Sequence, residues 1–324
     1  DAVKAVAPQE IEFDVYTDVA LPGGVPNDSF IRVWSASNQR LDNHKTSDLF
    51  PPVARLMVKS VRPVDSDKKS RQMLKKALAD HQQNTDVYRA MSQVVYKDDL
   101  FGNTGATLPD FSIFRVKNTI EAGGSAIFSW GSWMDGASAE SVLRSFNTFS
   151  NPHVAVIGAW KHEMSADGNP FNPPKGKPNP PLKNQWEALG QFFIQTLIDN
   201  HPPQGKTLYY YTMGANIWSK TDAFPLPNTT MQAWYFGAGN GLSPQKPTEK
   251  DASDHYTVNF ETTSGKTNRW MTQFARPVVY ENRATEDKKL LTYTSAPLDQ
   301  DTQITGYPVV TLYVASSEAD CAFF

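Results

Sequence analysis

Two short stretches decide the reading of this chain: Gly131-Ser-Trp-Met-Asp135-Gly136 and Ile157-Gly-Ala-Trp-Lys-His162-Glu163. Asp135 and His162 stand 27 positions apart. Each stretch follows an apolar run that reads as a buried strand, Ala126–Trp130 and His153–Trp160. Between them Ser138–Phe149 carries helical spacing at Val142, Leu143 and Phe146. The order is strand, acidic turn, helix, strand, histidine. In a parallel sheet both residues would leave the carboxyl ends of their strands, where open α/β sheets hold their sites.

The same order delivers the last two members of a Ser…Asp…His triad in an α/β-hydrolase. No G-x-S-x-G occurs in the 324 residues, so the nucleophile is expected outside this chain. Each residue also has a plainer reading. Asp135-Gly136 is an ordinary turn dipeptide, Ser138 an N-cap with Glu140 in the first turn, and His162 a loop histidine.

The segments around Asp135 and His162 resemble the G-W-x-D-G and G-P-W-x-H-G signatures of the CocE/NonD hydrolases. That family includes cocaine esterase, α-amino-acid ester hydrolases, glutaryl-7-aminocephalosporanate acylases and X-prolyl dipeptidyl peptidases. Tyr210-Tyr-Thr-Met-Gly-Ala-Asn-Ile-Trp218 and Trp234-Tyr-Phe resemble the opening of the family's C-terminal β domain. Glu281-Asn-Arg283, Leu291-Thr-Tyr-Thr-Ser-Ala-Pro-Leu298 and Thr305-Gly-Tyr-Pro-Val-Val-Thr-Leu-Tyr-Val314 are similar to its later strands. Val3-Lys-Ala-Val-Ala-Pro8 and Pro22-Gly-Gly24 look like the strand after the nucleophile helix and its sequel. Two departures stand out: Ala159 where the family usually has Pro, and Glu163 where Gly is common. Glu163 beside the histidine is expected to raise its basicity.

The resemblance implies that the serine and the oxyanion donors lie upstream of Asp1. Ala319-Asp-Cys-Ala-Phe-Phe324 resembles a strand cut off mid-element, so a reading frame truncated at both ends is the expectation. The implied fold is an incomplete α/β hydrolase with a helical cap insertion and a truncated C-terminal jelly-roll sandwich. Its expected pieces are 1–38, first part of the core; 39–97, cap; 98–201, second part of the core with Asp135 and His162; and 202–324, sandwich. Within the cap, Ser66 or Asp67 can start a helix through Gln83 and Asp86 another through Val95, with Pro51-Pro52 and Pro63 as punctuation. From Pro202 onward the runs Leu208–Thr212, Gln232–Phe236, His255–Phe260, Leu290–Thr294 and Pro308–Ala315 read as strands.

The implied chemistry is acyl transfer on an ester, amide or short peptide. His162 acts as general base and acid, and Asp135 fixes its tautomer. Trp130, Trp133 and Trp160 flank the two loops, as an apolar wall for the acyl group or as core packing. Asp98-Asp99 is a candidate for a substrate amine, or a helix-terminal acidic pair. Residues 169–181 hold six prolines in thirteen positions, either a stiff strap after His162 or an exposed connector. The competing class is a non-catalytic chain, either a pseudoenzyme with a binding sandwich or one subunit of a split enzyme.

Composition sorts the remaining classes. Forty per cent hydrophobic and 20% charged residues fit a globular chain. A net charge of −3 leaves no basic stripe for nucleic acid, and Lys68–Lys76 reads as the solvated face of an amphipathic helix. The single Cys321 allows no internal disulfide and fixes no compartment. No apolar run approaches the roughly 18 residues of a membrane span. No cofactor is implied. His153 opens a strand that should be buried, and His162-Glu163 lacks the second histidine of a zinc motif. Gly237-Ala-Gly-Asn-Gly241 precedes no helix, so it is no phosphate loop. A homo-oligomer is compatible with the sequence.

Overall fold

The computed structural model describes residues 3–45, 64, 68–172, 176–263, 265, 267–274, 278–321 and 323. The expectations for Pro51-Pro52, Pro63, Ser66, Asp67 and residues 173–175 lie outside them. The chain divides into two compact units, Glu12–Val116 and Asp1–Ile11 with Lys117–Phe324.

The first unit is helical: α1 Asp28–Asp42, α2 Gln72–His81 and α3 Val87–Met91. The Asp86 carboxylate accepts the N–H of Arg89 at 3.1 Å, as an N-cap should. The helix stops at Met91 rather than Val95 because Asp99 takes the N–H groups of Val95 and Tyr96, both at 2.8 Å. α1 buries Phe30, Ile31 and Ser35, and the Ser35 hydroxyl accepts the N–H of Tyr88 on α3. None of α2 is buried, in keeping with a solvated lysine face. The unit is wider than 39–97. Asp14 pairs with Lys97, and the Tyr16 hydroxyl donates to the Val95 carbonyl at 2.7 Å, which ties residues from Glu12 onward to the helices.

The second unit is a mixed α/β body. Four parallel strands lie in the order β1 Ala5–Val6, β2 Ala126–Ser132, β3 His153–Gly158 and β4 Lys206–Thr212, with β5 Ile217–Thr221 antiparallel at the edge. Helix α4 Lys117–Gly123 leads into β2, and α5 Ser138–Thr148 supplies the crossover that a parallel β2–β3 pair requires. α6 Leu182–Phe193 follows β3. Alternate strand residues face opposite layers. Ala155, Ile157 and Leu208 meet Val142, Leu143 and Phe146 of α5 on one face. Phe128, Trp130, Val156, Trp160 and Phe192 fill the other. Every residue of β2 is buried, as expected for a strand covered on both faces.

Leu208–Thr212 therefore does not open a sandwich. It is β4 of the parallel sheet, and its register with β3 pairs Ala155 with Leu208. Beyond β5 the described ladders are the hairpin β6 Tyr235–Gly237 with β7 Gly241–Ser243, and a bridge from Gly241 to Thr294. His255–Phe260 and Pro308–Ala315 form no strand among the described residues. A strand needs both backbone partners and cover for its apolar face, and Val309 and Tyr313 are 74% and 98% exposed. Uncovered apolar stretches of this kind template association. The chain on its own is expected to elute as an oligomer in size-exclusion chromatography with light scattering, and Val310→Lys with Val314→Lys to shift it toward monomer. A sharp monomer for the unaltered chain would show that the stretch is covered in solution.

Among the described residues no helix is long and apolar enough to cross a membrane.

Candidate active site

The carboxyl ends of β2 and β3 are knitted together by one hydroxyl. Ser132 Oγ donates to the Trp160 carbonyl at 2.6 Å and accepts the N–H groups of Trp160 and Met134 at 2.8 and 3.0 Å. Ser138 Oγ accepts the N–H of Ser132 and so fixes the start of α5. Gly131 must be glycine, since a Cβ would stand 2.7 Å from the Ser138 carbonyl oxygen. These contacts bring the loops after β2 and β3 side by side.

Asp135 and His162 meet there. Asp135 is 1% exposed, and its two carboxylate oxygens lie 3.2 and 3.1 Å from His162 Nδ1. Facing carboxylates, Nδ1 carries the proton, and the lone pair of the neutral ring then sits on Nε2. Thr272 Oγ1 donates to Asp135 Oδ1 at 2.9 Å. The short helix Arg269–Phe274 that carries Thr272 is held to the acidic turn, where the Gly136 N–H donates to the Arg269 carbonyl at 3.1 Å. Glu10 completes the cluster, with Oε2 at 3.2 Å from His162 Nδ1.

Burial pulls the His162 imidazole down. The hydrogen bond to Asp135 and the charges of Asp135, Glu10 and Glu163 outweigh it and leave the ring more basic than an ordinary histidine. The Glu163 charge thus acts in the direction expected from the sequence. Glu163 also has φ of +65°, the left-handed region that glycine occupies freely. Burial pushes the Glu10 carboxyl up to about 7 against the attraction of His162. Donor atoms of Glu10, Asp135 and His162 converge within 4.8 Å. Asp135 faces the ring nitrogen with both oxygens, and one of them also accepts the Thr272 hydroxyl.

The other candidates are elsewhere. Trp130 and Trp160 are 3% and 0% exposed in the aromatic core with Phe128 and Phe192, which is the packing reading and leaves them no surface for an acyl group. Trp133 is partly buried against the opposite layer, and its indole N–H donates to the Tyr211 carbonyl at 2.8 Å. Asp99 is spent on its own turn, and those backbone N–H groups hold its carboxyl below the usual range. The end of the proline-rich loop is anchored, since Trp160 Nε1 donates to the Asn179 carbonyl at 2.9 Å and Gln185 to that of Pro180.

Sequence reading missed Glu10 and Thr272. Glu10 had a usable signal, for it follows a parallel strand at the same edge of the sheet. Thr272, 137 residues from Asp135, had none.

Comparison with known proteins shows what the chain is similar to. Residues 184–324 match the X-Pro dipeptidyl-peptidase C-terminal non-catalytic domain. The chain is related to hydrolases of the CocE/NonD, X-Pro dipeptidyl-peptidase-like family, as its signatures implied. Two relatives, each named "Putative serine esterase", come from Mycobacterium bovis and Mycobacterium tuberculosis. Each is 32% identical over 352 aligned positions, covering 100% of this chain and 54% of the relative. The chain thus spans about half the length of these curated relatives. Among solved structures, an aminopeptidase from the marine sediment archaeon Thaumarchaeota archaeon aligns over 86% of this chain and 47% of its own. The identity is 13% and the TM-score 0.46. Thr272, which holds Asp135, falls inside the segment matched to a non-catalytic domain.

Proposed function

We propose that this chain carries the acid and base of a serine hydrolase acting on ester, amide or peptide acyl bonds. The observation that carries the reading is the buried Asp135 carboxylate 3.1 Å from His162 Nδ1 at the carboxyl edge of a parallel sheet. In this reading His162 Nε2 takes the proton of a serine hydroxyl as the oxygen attacks the acyl carbon. It later returns that proton to the leaving alcohol or amine, while Asp135 stabilises the imidazolium. The serine comes from polypeptide outside these 324 residues, as do the oxyanion donors. The helical unit Glu12–Val116 corresponds to the family's cap, and residues beyond β5 to its jelly roll.

The test compares the chain alone with a protein in which a serine-bearing hydrolase segment precedes it, using p-nitrophenyl butyrate and a fluorophosphonate label. The chain alone is expected to hydrolyse the ester no faster than its His162→Ala variant and to take no label, because triad members act as a unit. A stoichiometric acyl-enzyme burst from the chain alone would move the nucleophile into it. Undiminished turnover by His162→Ala in the serine-bearing protein would remove the triad and leave a binding role.

A further inference from the structure

Glu10 is a charged group in the site that neither the triad nor the sequence signatures use. It stands four residues past β1, and its backbone N–H donates to the Trp130 carbonyl at 2.9 Å, which fixes it beside the exit of β2. Its two oxygens serve different partners. Oε2 faces His162 Nδ1 at 3.2 Å, and Oε1 accepts the backbone N–H of Glu163. Glu10 and Glu163 both hold positive φ, +53° and +65°. Side chains make that region sterically costly for L residues, so two strained residues meet in a single contact.

The geometry points to Glu10 as a positioning residue for His162: it sets a carboxylate 3.2 Å from Nδ1 beside the Asp135 hydrogen bond and clamps the histidine loop to the end of β1. The basicity of the ring is then set by a pair of carboxyls, one fully buried and one that titrates. The catalytic consequence rests on His162 being the base, while the contact between carboxylate and ring does not. The charged groups that face Glu10 are His162, Asp135 and Glu163, and the Glu163 N–H is its hydrogen-bond donor. β2 presents only a backbone carbonyl to its main chain.

The sign follows from these neighbours. Burial holds the Glu10 carboxyl up to about 7. Below that pH it is neutral and adds no charge beside the ring. Above it two carboxylates face the ring and favour the imidazolium. Two groups so coupled lose their protons in steps that belong to the pair.

The experiment is a histidine-selective ¹⁵N and glutamate-selective ¹³C NMR titration of the chain as it stands, with melting curves run beside it. In the unaltered chain the His162 ring nitrogens and the Glu10 carboxyl are expected to show shared inflections. Glu10→Gln is expected to collapse the His162 curve to one step and lower its midpoint by about one pH unit, the loss of one nearby opposite charge. A Glu10 carboxyl that titrates at an ordinary glutamate value with no inflection in His162 overturns the proposal without any variant. So does a folded Glu10→Gln protein whose His162 curve is unchanged. If the hydrolase reading failed instead, turnover would be absent in the serine-bearing protein while these titrations kept their coupled form.

Discussion

In a serine-bearing form of the protein, Asp135→Asn is expected to lower kcat/KM for p-nitrophenyl esters by roughly 10²- to 10⁴-fold, with the melting temperature little changed. The size of the effect comes from the tautomer rather than from the lost charge alone. Thr272 Oγ1 donates to Asp135 Oδ1 at 2.9 Å. In the orientation that keeps that bond, the asparagine carbonyl oxygen stands at Oδ1. The amide NH₂ then occupies the Oδ2 position, 3.1 Å from His162 Nδ1. Two donors cannot face each other, so the ring moves its proton to Nε2, the nitrogen that must accept from serine. Glu10 at 3.2 Å offers a second acceptor that opposes this flip, so Asp135→Asn with Glu10→Gln should lose more than Asp135→Asn alone. A loss smaller than tenfold for the asparagine variant would mean that Asp135 does not orient a catalytic base.

The parts of the molecule that were legible in the sequence are those decided by local periodicity and topology. β2, α5 and β3 lie where apolar runs and helical spacing placed them, because a parallel pair with a short crossover has essentially one arrangement. Asp135 and His162 follow from the ends of those strands. Leu208–Thr212 was misassigned for a physical reason: aromatic and β-branched runs look alike in a sandwich strand and in a parallel strand, and pairing partners are not written locally. The wall of tryptophans failed likewise. Trp130 and Trp160 sit next to the loops in sequence, but alternation turns them into the layer under α6. Thr272 depends on the chain returning from 137 residues away, which no spacing rule reports.

The second large effect concerns acid stability and falls on a histidine outside the site. His153 opens β3, is fully buried, and has Nε2 at 2.7 Å from Ser129 Oγ on β2. Its Nδ1 is buried with no hydrogen-bond partner among the described residues, and the Phe146 ring centroid is 5.6 Å away. A proton on Nδ1 would add a charge with nothing to receive it. Burial, with help from the Lys206 charge, therefore lowers the ring to about 3 from an ordinary 6.5. Between those values the unfolded chain binds the proton and the folded one refuses it, so stability falls as pH falls through that window. The slope approaches about 1.4 kcal/mol per pH unit where the difference is a full proton. Glu10, with its carboxyl raised to about 7, works against this in the upper part of the window, because there the folded state holds the extra proton. His162, raised in the folded state, contributes stability that is lost as pH rises through its own midpoint, on the alkaline side of the window. The His153 contribution is isolated by difference. Urea midpoints of the unaltered chain and of His153→Gln, which keeps a partner for Ser129 but cannot titrate, should approach or cross as pH is lowered from 6.5 to 4. The unaltered chain should lose stability faster by several kcal/mol over that range. Parallel curves across it would mean that His153 reaches solvent or finds a partner for its Nδ1 proton, and that the β2–β3 core is less closed than its packing indicates.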